Sequence, residues 1–105
     1  MYNNYVWNKD GTVKGQFELM YVEVEDPWLH SQEEYGELST SLYLIDFLKS
    51  KNIKALHSIG CGKGHYEKWI FNQLNQKLSI SGVDLSKTAI EFAKKLIPSG
   101  FFNAS

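Results

Sequence analysis

The sequence predicts an α/β domain in which a parallel sheet is flanked by helices. Two short apolar segments, residues 55–59 and 78–83, have the length and composition of strands, and a third begins at Phe101. Segments with apolar residues at helical spacing lie between them. Strands that alternate with helices in this way are typical of a parallel sheet built with right-handed crossovers.

Residues 1–30 form a leader ahead of this pattern. Asp10-Gly11 lies between β-prone residues and predicts a local hairpin or turn. Apolar residues at helical spacing predict a short helix over 16–24, which ends before Pro27 because the residue preceding a proline avoids helical geometry. We therefore divide the chain into a leader over 1–30 and an α/β domain over 31–105.

The elements of the α/β domain follow from capping and turn signals. Ser31 and Glu34 form a capping box, which predicts a long helix over 31–49. The strand over 55–59 is short and mostly apolar, so we expect burial on both of its faces. The remaining elements are, in order, a helix from the glycine-rich turn to about residue 76, the strand over 78–83, a helix capped by Ser86 and ended by Pro98-Ser99-Gly100, and a strand opening at 101–105.

Composition and charge exclude several classes of protein. The chain has 105 residues, 43% of them hydrophobic, and a formal net charge of −1, as expected for one soluble globular domain. Lysines are scattered, so we expect neither a nucleic-acid partner nor a membrane surface. Cys61 is the single cysteine, and the amino terminus shows no secretion signal, which makes the cytoplasm the expected location.

The spacing of the glycines in the turn distinguishes between three kinds of nucleotide-binding motif. Gly60, Gly62 and Gly64 have the spacing G-x-G-x-G after an apolar strand. A dinucleotide fingerprint needs its third glycine at the position of His65, and a P-loop needs Ser or Thr after Lys63. Both of these motifs are therefore excluded at defining positions.

Residues 59–64 and 82–90 together resemble the first motif, the second-strand acid and the following helix of class I S-adenosylmethionine-dependent methyltransferases. The resemblance covers roughly residues 54–97 and implies a Rossmann-like fold that binds S-adenosylmethionine. It implies that the glycines leave room for the methionine moiety, that Asp84 accepts hydrogen bonds from both ribose hydroxyls, and that Leu85 packs on the adenine. The alternative for Asp84 is to cap the helix that begins at Ser86.

Three further positions belong to the predicted cofactor loop. Cys61 is expected to be a small residue packed inside the turn, and no base is placed by the sequence to activate it. His65 begins a helix, where it either touches the cofactor or faces water. Ser58 stands where the family usually carries an acid; it offers no charge to the cofactor's ammonium group, so the affinity is lower or another residue supplies that charge.

The leader carries a narrower resemblance. Residues 17–21 and 26–28 are similar to the leader of the nodulation N-methyltransferase group and of enzymes that modify saccharides and small molecules. This implies a small-molecule or saccharide acceptor, and a leader that covers the pocket with Tyr21 and Trp28. Plain packing is the alternative for Trp28.

The histidines give no support for a metal. His30 is expected on the surface, and His57 is expected to be a hydrogen-bonded structural residue in a buried strand. Three histidines this scattered, without paired cysteine or carboxylate spacing, predict no metal site.

Members of the family continue beyond a third strand, and their fourth strand supplies acceptor-side and often catalytic residues. We therefore expect this chain to hold the first half of the domain, truncated after its third strand, and we assign no catalytic residue. Without the fourth strand the first one has an open edge, which favours self-association. The alternative function is a non-catalytic binding or regulatory half-domain that pairs with another chain.

Overall fold

The computed structural model describes residues 5, 8–10, 12, 15–25 and 34–105. The described elements, in chain order, are α1 (Phe17–Glu23), a 3₁₀ turn (Tyr35–Glu37), α2 (Ser39–Ser50), β1 (Ala55–Ile59), α3 (His65–Gln73), β2 (Ser79–Asp84), α4 (Lys87–Leu96) and β3 (Phe101–Ala104).

The three strands form one parallel sheet in the order β1-β2-β3. Ile59 is in register with Val83, and Gly82 is in register with Phe102. Each pair of neighbouring strands is joined by a helix, α3 or α4, as parallel pairing requires. The predicted α/β fold and its third strand are confirmed.

The core lies on one face of this sheet. Alternate residues of β2 and β3 point into it, because successive side chains of a strand lie on opposite faces. Helices α2, α3 and α4 contribute their apolar stripes to the same cluster. Its buried members are Ile45, Leu48, Cys61, Ile70, Phe71, Leu78, Ile80, Ile90, Ala93, Ile97 and Phe102.

The prediction that β1 is buried on both faces is wrong. Ile59 is 85% exposed, and Phe101 on the same face of the sheet is 69% exposed. Burial on both faces needs a layer on each side, and the described helices build their core on one side. His57 is likewise exposed rather than buried, although its Nδ1 does make a hydrogen bond of 2.8 Å with the Ser81 hydroxyl.

The predicted helix over 31–49 begins later, at Ser39. Leu38, immediately before it, has the extended backbone angles φ −90° and ψ 123°, which separate the helix from the 3₁₀ turn. Ser31 of the predicted capping box lies outside the described residues. The helix after the glycine turn also ends earlier, at Gln73, because Asn75 and Gln76 adopt positive φ values of 56° and 59°.

The leader agrees with its predicted helix but is only partly described. Helix α1 lies within the predicted range of 16–24. The Asn8 N–H donates to the Thr12 carbonyl at 2.8 Å, which forms the predicted turn, while Gly11 falls outside the described residues. In the part of the chain that is described, no helix has the length and apolar character needed to cross a membrane.

Candidate functional site

A cavity of about 490 Å³ opens at the carboxyl ends of β1 and β2. In open parallel sheets this is the edge at which ligands bind, because the loops that follow the strands meet there. The wall is formed by the glycine turn, the end of β2, helix α1 and the end of the chain. Its residues are Phe17, Tyr21, Ile59, Gly60, Cys61, Gly62, Val83, Asp84, Leu85 and Ser105.

The backbone of the glycine turn is held against β2. The N–H groups of Gly60 and Cys61 both donate to the carbonyl of Val83, at 2.8 and 3.1 Å. Gly60 has a φ of +74°, and a Cβ added there would meet no atom within 4 Å. The turn therefore brings bare backbone to the cavity, which is the geometry that close approach to a ligand requires.

Asp84 fixes this turn as well as lining the cavity. Its Oδ2 accepts from the Gly62 N–H at 2.8 Å, and its Oδ1 accepts from the Ser86 N–H at 3.0 Å. A carboxylate has about four lone-pair positions, so these two bonds leave acceptor capacity on both oxygens. The bond to Ser86 agrees with the alternative role of Asp84 at the start of the next helix, and the bond to Gly62 adds a role in shaping the loop.

Ser86 is the N-cap of α4, as predicted. Its buried hydroxyl accepts from the Ala89 N–H at 3.1 Å. The cap begins the helix immediately after the cavity wall, so the end of β2 and the start of α4 have a fixed relationship.

Cys61 is packed beneath the cavity rather than activated. A Cβ built on Gly82 would lie 3.0 Å from the Cys61 sulfur, so the glycine in β2 makes room for this side chain. Burial raises the pKa of the Cys61 thiol to about 12, with further contributions from the charges of Glu67 and Asp84. The thiol is therefore neutral at physiological pH.

Ser58 makes a contact that the sequence analysis missed. Its hydroxyl donates to Oε2 of Glu67 at 2.6 Å, and Glu67 is only 6% exposed. Glu67 lies in the first turn of α3, three and four residues before the buried Ile70 and Phe71. A glutamate on the apolar stripe of a helix was the signal that could have identified it.

Helix α1 is attached to the amino end of α4. The carboxylate of Glu18 accepts from the Thr88 N–H at 3.2 and 3.3 Å and from the Thr88 hydroxyl. The hydroxyl bond is the main reason why the pKa of Glu18 is lowered. Met20 and Ala89 pack together beside these bonds, so the leader helix is tied to the α/β domain by polar and apolar contacts.

The predicted site residues divide into two groups. Six of them line the cavity together, namely Tyr21, Gly60, Cys61, Gly62, Asp84 and Leu85. The structure also adds Phe17, Ile59, Val83 and Ser105, whose positions depend on how the leader and the strand ends meet. Trp28, the second predicted lid residue, lies outside the described residues.

The other three predicted residues have different neighbours. Ser58 faces Glu67, as described above. Gly64 approaches α4 closely, since a Cβ added there would lie 3.2 Å from that of Ala93. The ring of His65 packs on Phe92, with 5.4 Å between centroids. None of the three contributes to the cavity wall formed by the described residues.

Several solved structures have a similar fold. The plantazolicin methyltransferase BamL, in complex with a triazolic desmethylPZN analog and SAH, is 28% identical over 88% of this chain and 33% of its own, with a TM-score of 0.54. SAM-bound CalS10, an amino pentose methyltransferase from Micromonospora echinaspora, matches 77% of this chain and 33% of its own at 14% identity, also with a TM-score of 0.54.

This chain has the fold of the amino-terminal half of a class I S-adenosylmethionine-dependent methyltransferase. The methyltransferase domain of bacterial CtHen1-C shows the same fold, at 23% identity over 72% of this chain and 40% of its own, with a TM-score of 0.50. This chain spans about a third of the length of BamL and of CalS10. No family model and no curated protein matches the sequence.

Proposed function

We propose that the cavity binds S-adenosylmethionine, and that this chain forms the donor-binding part of an enzyme that transfers a methyl group to a small molecule or saccharide. The observation that carries the proposal is that the glycine turn and Asp84 form one wall of the same cavity. A volume of about 490 Å³ lies within the range of pockets that hold ligands of this size.

The adenosine end of the cofactor would lie at the end of β2. Asp84 keeps free acceptor capacity on both carboxylate oxygens, which suits the two hydroxyls of a ribose. Leu85 follows it on the cavity wall and is largely exposed, so it offers an apolar surface to a purine ring.

The methionine end would lie along the glycine turn. Gly60 has no side chain and faces open space, and Cys61 keeps its neutral sulfur below the turn. Tyr21, contributed by α1, lines the cavity beside Gly62. Together these residues would enclose a ligand between the leader and the sheet.

The cofactor supplies an electrophilic methyl group on a sulfonium, and the protein's part in such a transfer is to hold donor and acceptor in line. The described residues bind and orient the donor. We propose that the acceptor site and any general base belong to residues outside this chain's 105, so that the chain alone does not transfer methyl groups. The part of BamL that it does not match supports this, since the chain spans 33% of BamL.

Two observations support the proposal that the methyl acceptor is a small molecule or a saccharide. The leader resembles those of enzymes acting on saccharides and small molecules. BamL, the neighbour at 28% identity, is described in complex with a desmethylPZN analog.

Calorimetric titration with S-adenosylhomocysteine tests the donor site directly. The wild-type chain should bind it, and Asp84→Ala should weaken binding at least about tenfold, because hydrogen bonds to a carboxylate contribute about 1.5–3 kcal/mol. Asp46→Ala, at an exposed position of α2, is the matched control and should leave binding unchanged. Equal binding by all three proteins, or none by the wild type, would refute the proposal.

A second candidate function is a non-catalytic half-domain that pairs with another chain. It is favoured by the exposed apolar face that includes Ile59 and Phe101, and by the outer edge of β1, which no strand of the described residues covers. Oligomers that form with increasing concentration, combined with no affinity for S-adenosylhomocysteine, would support this function over the first.

A further inference from the structure

The structure places a buried carboxylate beside the position where the resemblance implies an acid. Position 58 is a serine, so β1 itself carries no charge next to the glycine turn. Its hydroxyl, however, donates to Oε2 of Glu67 at 2.6 Å. The pair therefore presents one carboxylate near the end of β1, although its charge comes from α3.

We propose that Glu67 is the residue that binds the ammonium group of the cofactor's methionine moiety, taking the place of the acid that position 58 lacks. This inference rests on the proposed function of the cavity. It assigns to Glu67 a charged contact with the amino-acid end of the ligand, while Asp84 holds the opposite, ribose end.

The positions of three residues support the assignment. Ser58 lies in β1 two residues before Gly60, whose backbone lines the cavity, while the side chain of Ser58 faces the core side, where Glu67 lies behind the wall. The Glu67 carboxylate accepts the hydrogen bond from the Ser58 hydroxyl, with 2.6 Å between the two oxygens. An aspartate at position 58 would therefore extend its carboxylate toward the space that the Glu67 carboxylate already occupies.

The electrostatics of the cavity wall support it independently. Glu67 is 6% exposed, so its charge is weakly screened by solvent and acts strongly on nearby groups. Cys61, which lines the cavity, responds to this field: after burial, the charge of Glu67 is the next cause of its raised thiol pKa. A cation entering the cavity is stabilised by the same field that disfavours a thiolate there.

The test compares a ligand that carries the amino-acid group with one that lacks it. S-adenosylhomocysteine carries the amino-acid group, whereas 5′-methylthioadenosine keeps the adenosine and the thioether but lacks that group. Glu67→Gln should weaken binding of the first ligand about tenfold and leave binding of the second unchanged. The glutamine side chain is similar in size and still accepts a hydrogen bond from Ser58, and retained binding of 5′-methylthioadenosine would show that the pocket is folded.

The double variant Ser58→Asp with Glu67→Gln places the carboxylate on β1, at position 58, instead of on α3. It should recover most of the lost affinity for S-adenosylhomocysteine, because the charge again lies beside the glycine turn. A merely structural role for Glu67 predicts instead that both ligands are weakened together and that the double variant recovers nothing.

The outcomes separate this inference from the proposed function. If Glu67→Gln leaves both affinities unchanged while Asp84→Ala weakens both, the cavity binds the cofactor and the role of Glu67 is wrong. If the folded wild-type chain binds neither ligand, the proposed function and the inference both fail.

Discussion

The hydroxyl of Tyr21 lies against Gly62, so closely that a Cβ added to the glycine would be 2.7 Å from the phenol oxygen. Tyr21 is 6% exposed and comes from the leader, whereas Gly62 belongs to the turn after β1. The wall of the cavity is therefore assembled from two segments that are distant in sequence. The side chain at position 21 limits which residue fits at position 62, and the reverse also holds.

Gly62→Ala should destabilise the chain by about 2–4 kcal/mol, because alanine is strained at a φ of +57° and its Cβ would collide with Tyr21. Urea denaturation measures the effect. Gly36→Ala is the matched control, since a Cβ there meets nothing within 4 Å and φ is not positive. Adding Tyr21→Phe to Gly62→Ala should restore part of the stability; no recovery would mean that the phenol oxygen does not limit this position.

Glu18 should make stability depend on pH at the acidic end. Its pKa is lowered in the folded chain, chiefly by the bond from the Thr88 hydroxyl, so its contribution is fully present above its ordinary pKa. That contribution is lost as the pH falls through the lowered value. Thermal unfolding measured from pH 7 to about pH 3 should show a smaller loss in Glu18→Gln than in the wild type. Parallel curves for the two proteins would contradict the linkage.

Ser58→Asp should destabilise the chain by about 1–3 kcal/mol at neutral pH, because a second carboxylate beside Glu67 raises the pKa of one of the two. The loss should shrink as the pH is lowered and one carboxyl becomes protonated. Urea denaturation of Ser58→Asp with and without Glu67→Gln tests this, and equal stability of the two variants would show that the carboxylates do not interact.

Cys61 should resist thiol reagents in the folded chain. With its thiol pKa raised to about 12, the thiolate is scarcer by about three orders of magnitude than for an ordinary cysteine. Reaction with a disulfide reagent at about pH 8 should therefore be at least about 100-fold slower than in denaturing urea. Equal rates in the two conditions would show that the sulfur is neither buried nor shifted.

We expect an open β1 edge to favour oligomers at high concentration, and Ile59→Ser should reduce their formation while leaving stability nearly unchanged, since Ile59 is 85% exposed beside that edge. Sedimentation at several concentrations measures the first effect and urea denaturation the second. Ile80→Ala, in the buried face of β2, is the contrasting variant and should cost about 2–5 kcal/mol. Unchanged oligomer formation in Ile59→Ser would exclude this face as the contact.

Local signals predicted the elements whose causes are local. The cap at Ser86, the end of β2 at Asp84 and the glycine turn all depend on neighbouring residues, and the structure has them where the sequence indicated. Contacts between segments that are distant in sequence could not be predicted from local patterns. The bond between Glu18 and Thr88 joins residues 70 positions apart, and no periodicity specifies such a pair.

The burial of β1 was misjudged for a related reason. Its composition is that of a strand covered on both faces, which predicts buried positions for His57 and Ile59. Which layers cover a strand depends on elements elsewhere in the fold, and the described helices build their core on only one face of this sheet. The composition of a strand indicates which surroundings suit its side chains, but it does not show which helices cover the two faces of the sheet.

The Asp84 bonds to Gly62 and Ser86 mean that the turn has its shape before any ligand arrives. A preformed wall loses little conformational entropy on binding, so affinity is not spent on ordering the loop. The part of the wall that comes from the leader is held from the same side, because α1 is joined to α4 through the Glu18–Thr88 bonds and the packing of Met20 on Ala89. The turn and the leader are therefore both anchored at the amino end of α4, so one helix terminus holds the two segments that form the pocket.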